Sequence, residues 1–339
     1  MKKINYLFLI GVMALSASLL LVSCEKDEEE STPTPPAGQA YSNTSDLQTT
    51  AVELTIPRIE VNPARATDIK LYLSVTNQDG APLQNFNQFN FVIKQVCAGS
   101  TDSVVVASAS FGTITQQGSN IAASSTMDYS GSMSSYDILN MENALRFFIR
   151  EKQALDQMEI IKFADDVQRM TEFTADTTLL IDAVNTYAPV GTYTSFYDAV
   201  FMGLEDADNF VNTNLDYLPA VLGFTDGYDN DSYTSFSSIV STANSFQIPV
   251  YTLGFGNADS VTLRNLADQT GGRYFYSPDS GELQELYNII SGQLKNLYIA
   301  NWVFSLNNCY DGVISVKVTY TCGNGTFTAH AIKYFEPLK

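Results

Sequence analysis

Between residues 121 and 297 the chain alternates short apolar runs with longer stretches in which apolar residues recur every three or four positions. Runs such as Ala220-Val221-Leu222-Gly223-Phe224 and Pro249-Val250-Tyr251-Thr252-Leu253-Gly254 read as strands buried on both faces. Residues 137–154 instead carry Ile138, Met141, Leu145, Phe148 and Ile149 at helical spacing. Further helices are expected through 179–184, 196–210 and 239–246, near 263–269 and over 283–297, with strands at 159–163 and 273–276. Strands separated by helical segments imply an α/β, Rossmann-like arrangement: a mainly parallel sheet covered by helices on both faces. Ligands of such sheets gather beyond the C-terminal strand ends, where the strand order reverses.

The flanks follow a different period. Residues 51–56, 68–76 and 89–96 alternate or are β-branched, with Asn77-Gln78-Asp79-Gly80 as a turn, and suggest a small β-sandwich. The tail is extended again over 302–306, 313–320 and 327–334 but is too short to form a sandwich alone. It is therefore expected to complete the N-terminal β-domain, which makes the α/β domain an insertion. The expected layout is a signal segment at 1–23, a tether at 24–45, a β-domain at 46–118, the α/β domain at 119–299 and completing strands at 300–339.

Asp128-Tyr129-Ser130-Gly131-Ser132 places a carboxylate and two hydroxyls at alternate positions of a glycine-containing turn, where they can converge on a hard divalent cation. It resembles the DxSxS metal loop of von Willebrand factor type A (vWA) domains. Gly191-Thr192-Tyr193-Thr194-Ser195-Phe196-Tyr197-Asp198-Ala199 resembles the family's second loop, and Thr225-Asp226-Gly227 its third. The resemblance implies a metal-ion-dependent adhesion site (MIDAS) with Asp128, Ser130, Ser132, Thr194 and Asp226 as ligands. Thr194 is preferred to Thr192 because the aromatic-Asp-Ala sequence follows the ligand at the family's spacing. Read without the family, Thr194 is a helix N-cap and Thr-Asp-Gly a β-turn. Two carboxylates among neutral hydroxyls leave the cation Lewis-acidic toward one open position, which suits a carboxylate from a partner. Mg²⁺ is the expected ion, with Mn²⁺ or Ca²⁺ as substitutes. Asp229, Asn230 and Asp231 read as a second cation site or as solvated rim residues, and Asp165-Asp166 as a turn.

Composition narrows the function. A formal charge of −19 opposes binding to nucleic acid or to an anionic membrane face, and a single histidine, His330, disfavours His-rich zinc sites and Ser-His-Asp triads. No His, Lys or Cys base is expected near the metal loops, so an enzyme, such as a metal-dependent hydrolase, is disfavoured. The expected function is metal-dependent binding of a protein or other acidic ligand, as in adhesion; the alternative is an assembly subunit docking one fixed envelope partner.

Lys2 and Lys3, the apolar stretch 4–22 and Leu21-Val22-Ser23-Cys24 resemble a bacterial lipobox, with Cys24 as the lipidated residue and the lipid as the only membrane contact. The acidic run 25–30 behind it resembles a Bacteroidota-type export signal, which implies an outer-membrane lipoprotein exposed on the cell surface. Residues 31–38 read as a stiff hydrated tether. Three other cysteines remain, and a bond from Cys97 to Cys309 or Cys322 would tie the two β segments together; three free thiols is the alternative.

Overall fold

The computed structural model describes residues 46–336, apart from 62–67, 107–109, 115, 117–118, 189, 279 and 304–310. The expectations for residues 1–45, Cys24 included, and for Cys309 lie outside the described residues.

The extended flanks form two sheets. In the first, β3 (Asp68–Asn77) pairs with β1 (Val52–Thr55) and β2 (Ile59–Val61) on one side. On its other side runs β13 (Tyr298–Val303), followed by β6 (Ser110–Thr113). The second sheet has the order β15 (Gly325–Phe335), β14 (Gly312–Cys322), β4 (Phe91–Cys97) and β5 (Val104–Val106). Alternation along β14 turns Ile314, Val316, Val318 and Tyr320 inward against Leu71, Leu73 and Trp302 of the facing sheet, giving one shared core. The tail therefore supplies a central strand to each sheet, and the expected sandwich is built from both ends of the chain. Cys97 is disulfide-bonded, so the three-free-thiols alternative does not hold. Cys322 is a buried free thiol, which removes the Cys97–Cys322 pairing.

The α/β domain lies between β6 and β13. Its sheet has the order β12 (Tyr274–Ser277), β11 (Val250–Phe255), β10 (Tyr217–Thr225), β7 (Asn120–Asp128), β8 (Gln157–Phe163) and β9 (Val167–Thr174). All neighbours are parallel except β8 and β9. The helices are α1 (Ser135–Glu151), α2 (Thr177–Asn185), α3 (Phe196–Thr213), α4 (Phe236–Phe246), α5 (Ser260–Thr270) and α6 (Leu283–Lys295). Separate apolar clusters lie on the two sides of the sheet, one containing Leu145, Ile149 and Ile290, the other Val200, Leu204 and Ile239. After β9 the chain crosses back to place β10 on the opposite side of β7. The order thus reverses between β7 and β10, beside Asp128 and Thr225.

Strand β7 explains how a polar sequence occupies the centre of a sheet. Ser124, Ser125 and Thr126 are completely buried. Small side chains let α3 approach so closely that a Cβ on Gly203 would lie 2.7 Å from Ser124 Oγ. That hydroxyl donates to Glu159 Oε2 at 2.6 Å, and Arg169 Nε donates to the other carboxylate oxygen at 3.2 Å. Burial pushes the pKa of Glu159 upward.

The two domains share a bonded boundary. Arg58 Nη1 donates to the carbonyls of Phe246 and Gln247, both at 3.0 Å. Arg273 Nη1 donates to Thr76 Oγ1, and Gln293 Nε2 to Gly80 O, each at 2.6 Å.

Candidate metal centre

The first loop is fixed at both ends by secondary structure. Strand β7 ends at Asp128, and α1 starts after Ser134, whose hydroxyl accepts from Asp137 N while its own N–H donates to the Asp137 carboxylate. This capping box leaves residues 129–133 to turn the chain. Gly131 has no positive φ. Its role is close approach, because a Cβ there would stand 3.1 Å from the carbonyl oxygens of Gly191 and Thr192. The sharp turn expected of it is thus a packing requirement between the first and second loops.

Asp128 is fully buried, and both oxygens are engaged. Oδ1 accepts from Ser130 N and Oδ2 from Thr225 Oγ1, each at 2.7 Å. The hydroxyls of Ser130 and Ser132 are 3.2 Å apart, and Ser132 Oγ donates to Asp226 Oδ1 at 2.5 Å. A Cβ on Gly227 would lie 3.3 Å from Ser132 Oγ and 3.8 Å from Thr194 Oγ1. The structure therefore brings Asp128, Ser130, Ser132, Thr194 and Asp226 to one place. Thr192 is exposed, whereas Thr194 is buried at this point, in keeping with the choice between them.

The second and third loops clamp one another. Thr194 N donates to Asn230 Oδ1 at 2.8 Å, and Asn230 N returns to Thr194 O at 3.0 Å. Ser195, the N-cap of α3, makes no side-chain cap bond. Asp229 of the third loop caps that helix instead, accepting from Tyr197 N at 3.0 Å. Asp198 reciprocates by accepting from Tyr233 N and Thr234 N. Asp229 and Asn230 thus hold the second loop and the start of α3 through their side chains, while Asn230 and Asp231 are exposed as rim residues are. Asp165, read from sequence as a turn, accepts from Thr192 N and Tyr193 N and so seats the second loop.

Sequence reasoning also missed Lys162. It is buried in β8, its ammonium lies 4.7 Å from the centre of the Tyr129 ring, and it donates to the carbonyls of Val184 and Thr186. Burial lowers its pKa to about 8. A lone lysine in the apolar run Met158–Phe163 was the available signal.

The electrostatics fit a cation. Burial raises Asp128 to about 6 and also raises Asp226. Neither carboxylate has a Lys or Arg ion-pair partner among the described residues. No group of three Asp, Glu, His or Cys suited to a metal occurs among those residues, so the donor set is oxygen-rich but low in charge. Such a set suits a hard divalent ion that keeps water and an open position.

Parallel strands, flanking helices and a hydroxyl–carboxylate cluster at the strand-order reversal define a Rossmann-like domain with a candidate divalent-ion site. Residues 126–289 match the family model of the von Willebrand factor type A domain, and this part of the chain has the vWA fold. Domains of this family commonly mediate protein–protein interaction through a divalent ion held at a MIDAS. No match is found among curated proteins. Similar solved structures include a von Willebrand factor type A protein from Catenulispora acidiphila (11% identity, 90% of this chain and 76% of that chain, TM-score 0.47). Another is the ArnB paralog VWA2 from Sulfolobus acidocaldarius (14% identity, 85% and 75%, TM-score 0.42). A third is proximal thread matrix protein 1 from the mussel byssus with a zinc-occupied MIDAS motif (14% identity, 51% and 47%, TM-score 0.45). The chain spans about half the length of the byssus proteins it matches. Among the described residues no helix is long and apolar enough to cross a membrane.

Proposed function

We propose that this chain is a binding protein without enzymatic activity that captures a carboxylate of a partner through a divalent ion. Asp128, Ser130, Ser132, Thr194 and Asp226 are the residues to hold the ion, and Mg²⁺ is the proposed ion. The observation that carries the reading is the buried Asp128 carboxylate, without a cationic side chain, set among hydroxyls at the strand-order reversal. When bound, the ion supplies a Lewis-acidic position for an oxygen ligand. Asp226 and Ser132, both less buried than Asp128, stand on the solvent side where a partner arrives. Lys162, the one amine beside the loops among the described residues, donates to two backbone carbonyls, which favours binding over general-base chemistry. Lipidation at Cys24 and display on the outer face of an outer membrane complete the proposal, and they rest on the sequence of residues 1–30.

Mn²⁺ electron spin resonance tests the site. The full chain should bind Mn²⁺ and release it to excess Mg²⁺, and Asp128→Ala and Asp226→Ala should abolish binding while the far-ultraviolet circular dichroism stays unchanged. Unaltered Mn²⁺ binding in both variants would sink the assignment. Partner binding that survives EDTA would favour the assembly-subunit reading.

A further inference from the structure

Six loops lie at the C-terminal end of the parallel strands, with described residues 129–134, 164–166, 186–188 and 190–195, 226–235, 256–259, and 278 and 280–282. Their described residues include seven Asp or Glu and no Lys or Arg, so these residues carry one sign of charge. Some of these acids have internal work, as Asp165 and Asp229 do. Asp166 and Asp231 do not: both are exposed, and their carboxylates make no hydrogen bond or ion pair among the described residues. Lys162 lies behind this face, buried beneath Tyr129.

The same loops carry unpartnered tyrosines next to the ion-holding residues. Tyr193 precedes Thr194, Tyr228 follows Gly227, and Tyr233 is anchored through its amide to Asp198. They are 52%, 62% and 101% exposed. Among the described residues none makes a ring contact or a hydroxyl hydrogen bond. Single exposed aromatics are ordinary, but three bordering one polar site mark a contact surface. The face of a tyrosine ring is negative and attracts Lys or Arg. Carboxylates beside the rings strengthen that attraction and repel polyanions such as uronate glycans or nucleic acids.

Building on the metal reading above, we infer that the partner is a protein segment in which a single Asp or Glu stands between Lys or Arg residues. The carboxylate reaches the ion, and the basic flanks lie over Tyr193, Tyr228 and Tyr233 and against Asp166 and Asp231. An extended segment places its second neighbour about 7 Å from the acid.

Fluorescence anisotropy with the purified full chain tests this, using labelled peptides Lys-Lys-Asp-Lys-Lys, Ser-Ser-Asp-Ser-Ser and Lys-Lys-Asn-Lys-Lys in Mg²⁺ and in EDTA. The Lys-flanked Asp peptide should bind about tenfold more tightly than the Ser-flanked one in Mg²⁺. It should lose that binding in EDTA, and more of it as salt rises. The double variant Tyr193→Ala, Tyr228→Ala should shrink the preference for Lys flanks and leave the Ser-flanked peptide unchanged. Equal, EDTA-sensitive binding of the two Asp peptides overturns the partner chemistry and leaves the metal reading intact. Binding of Lys-Lys-Asp-Lys-Lys that is indifferent to EDTA and matched by the Asn peptide overturns the joint recognition. No binding of any peptide at millimolar concentration also overturns the inference, and the Mn²⁺ resonance of the same sample then reports separately on the metal site.

Discussion

Replacing Asp128 by Asn should stabilise the metal-free protein and destabilise it relative to wild type once Mg²⁺ is present. Burial moves the Asp128 pKa from its ordinary 3.8 to about 6. Keeping that carboxylate ionised at pH 7.5 therefore costs the fold about 3 kcal/mol. Asparagine has nearly the same shape and removes the charge. Its amide oxygen retains the bond from Ser130 N, and its NH₂ faces Thr225 Oγ1, which must change from donor to acceptor. Losing that charge-assisted bond returns about 1 kcal/mol, so the variant should gain about 2 kcal/mol in EDTA, roughly 4–8 °C in Tm for a domain of this size. Mg²⁺ at a thousandfold excess over its Kd stabilises a binding-competent protein by about 4 kcal/mol, so the order should reverse. The pH dependence has a fixed sign. Because the folded-state pKa is raised, the favourable contribution of neutral Asp128 is complete below 3.8 and is lost as pH rises through about 6. The variant's advantage in EDTA should accordingly shrink from pH 7.5 to pH 4.5. Thermal unfolding of both proteins at the two pH values, with EDTA or Mg²⁺, reads all of this. A variant less stable than wild type in EDTA at pH 7.5, with a gap insensitive to pH, would refute the reasoning.

Two further perturbations separate seating of the loops from packing of the sheet. Asp165→Ala removes the acceptor for Thr192 N and Tyr193 N at an exposed carboxylate. It should weaken Mn²⁺ binding about tenfold without changing the circular dichroism, and unchanged affinity would deny Asp165 a part in seating the second loop. Gly203→Ala drives a methyl to 2.7 Å from Ser124 Oγ and should destabilise by about 1–3 kcal/mol in urea unfolding, despite alanine's better helix propensity. Adding Ser124→Ala should recover part of that loss, and full additivity of the two changes would contradict the contact.

The legible parts of the molecule were those encoded by local period or by residue type at a strand end. The strand–helix alternation gave the parallel sheet, and the three loop motifs brought together the five residues assigned as ligands. A tail too short for its own sandwich pointed to the insertion. What escaped was set by distant contacts. Strand β9 was missed because an edge strand with Gln168, Arg169 and Glu172 facing water carries little alternation, and its pairing is further broken by register shifts against β8. Asp165 and Asp229 act on backbone amides of other loops, and no spacing within their own loops reports that. The border between α6 and β13 was placed late because Leu297-Tyr298-Ile299 is apolar without interruption; the helix ends at Lys295 and the strand starts at Tyr298.

The position of β13 governs how the protein must assemble as it is made. Strand β3 emerges early, yet its partner β13 follows only after the whole α/β domain, and β4 waits still longer for β14. During synthesis the first-made half of the sandwich therefore holds open strand edges until the last-made residues arrive. The inserted domain has all its strands in one continuous stretch and is free to fold meanwhile. A chain cut after α6 would thus lose the integrity of its earliest domain and keep that of its middle one.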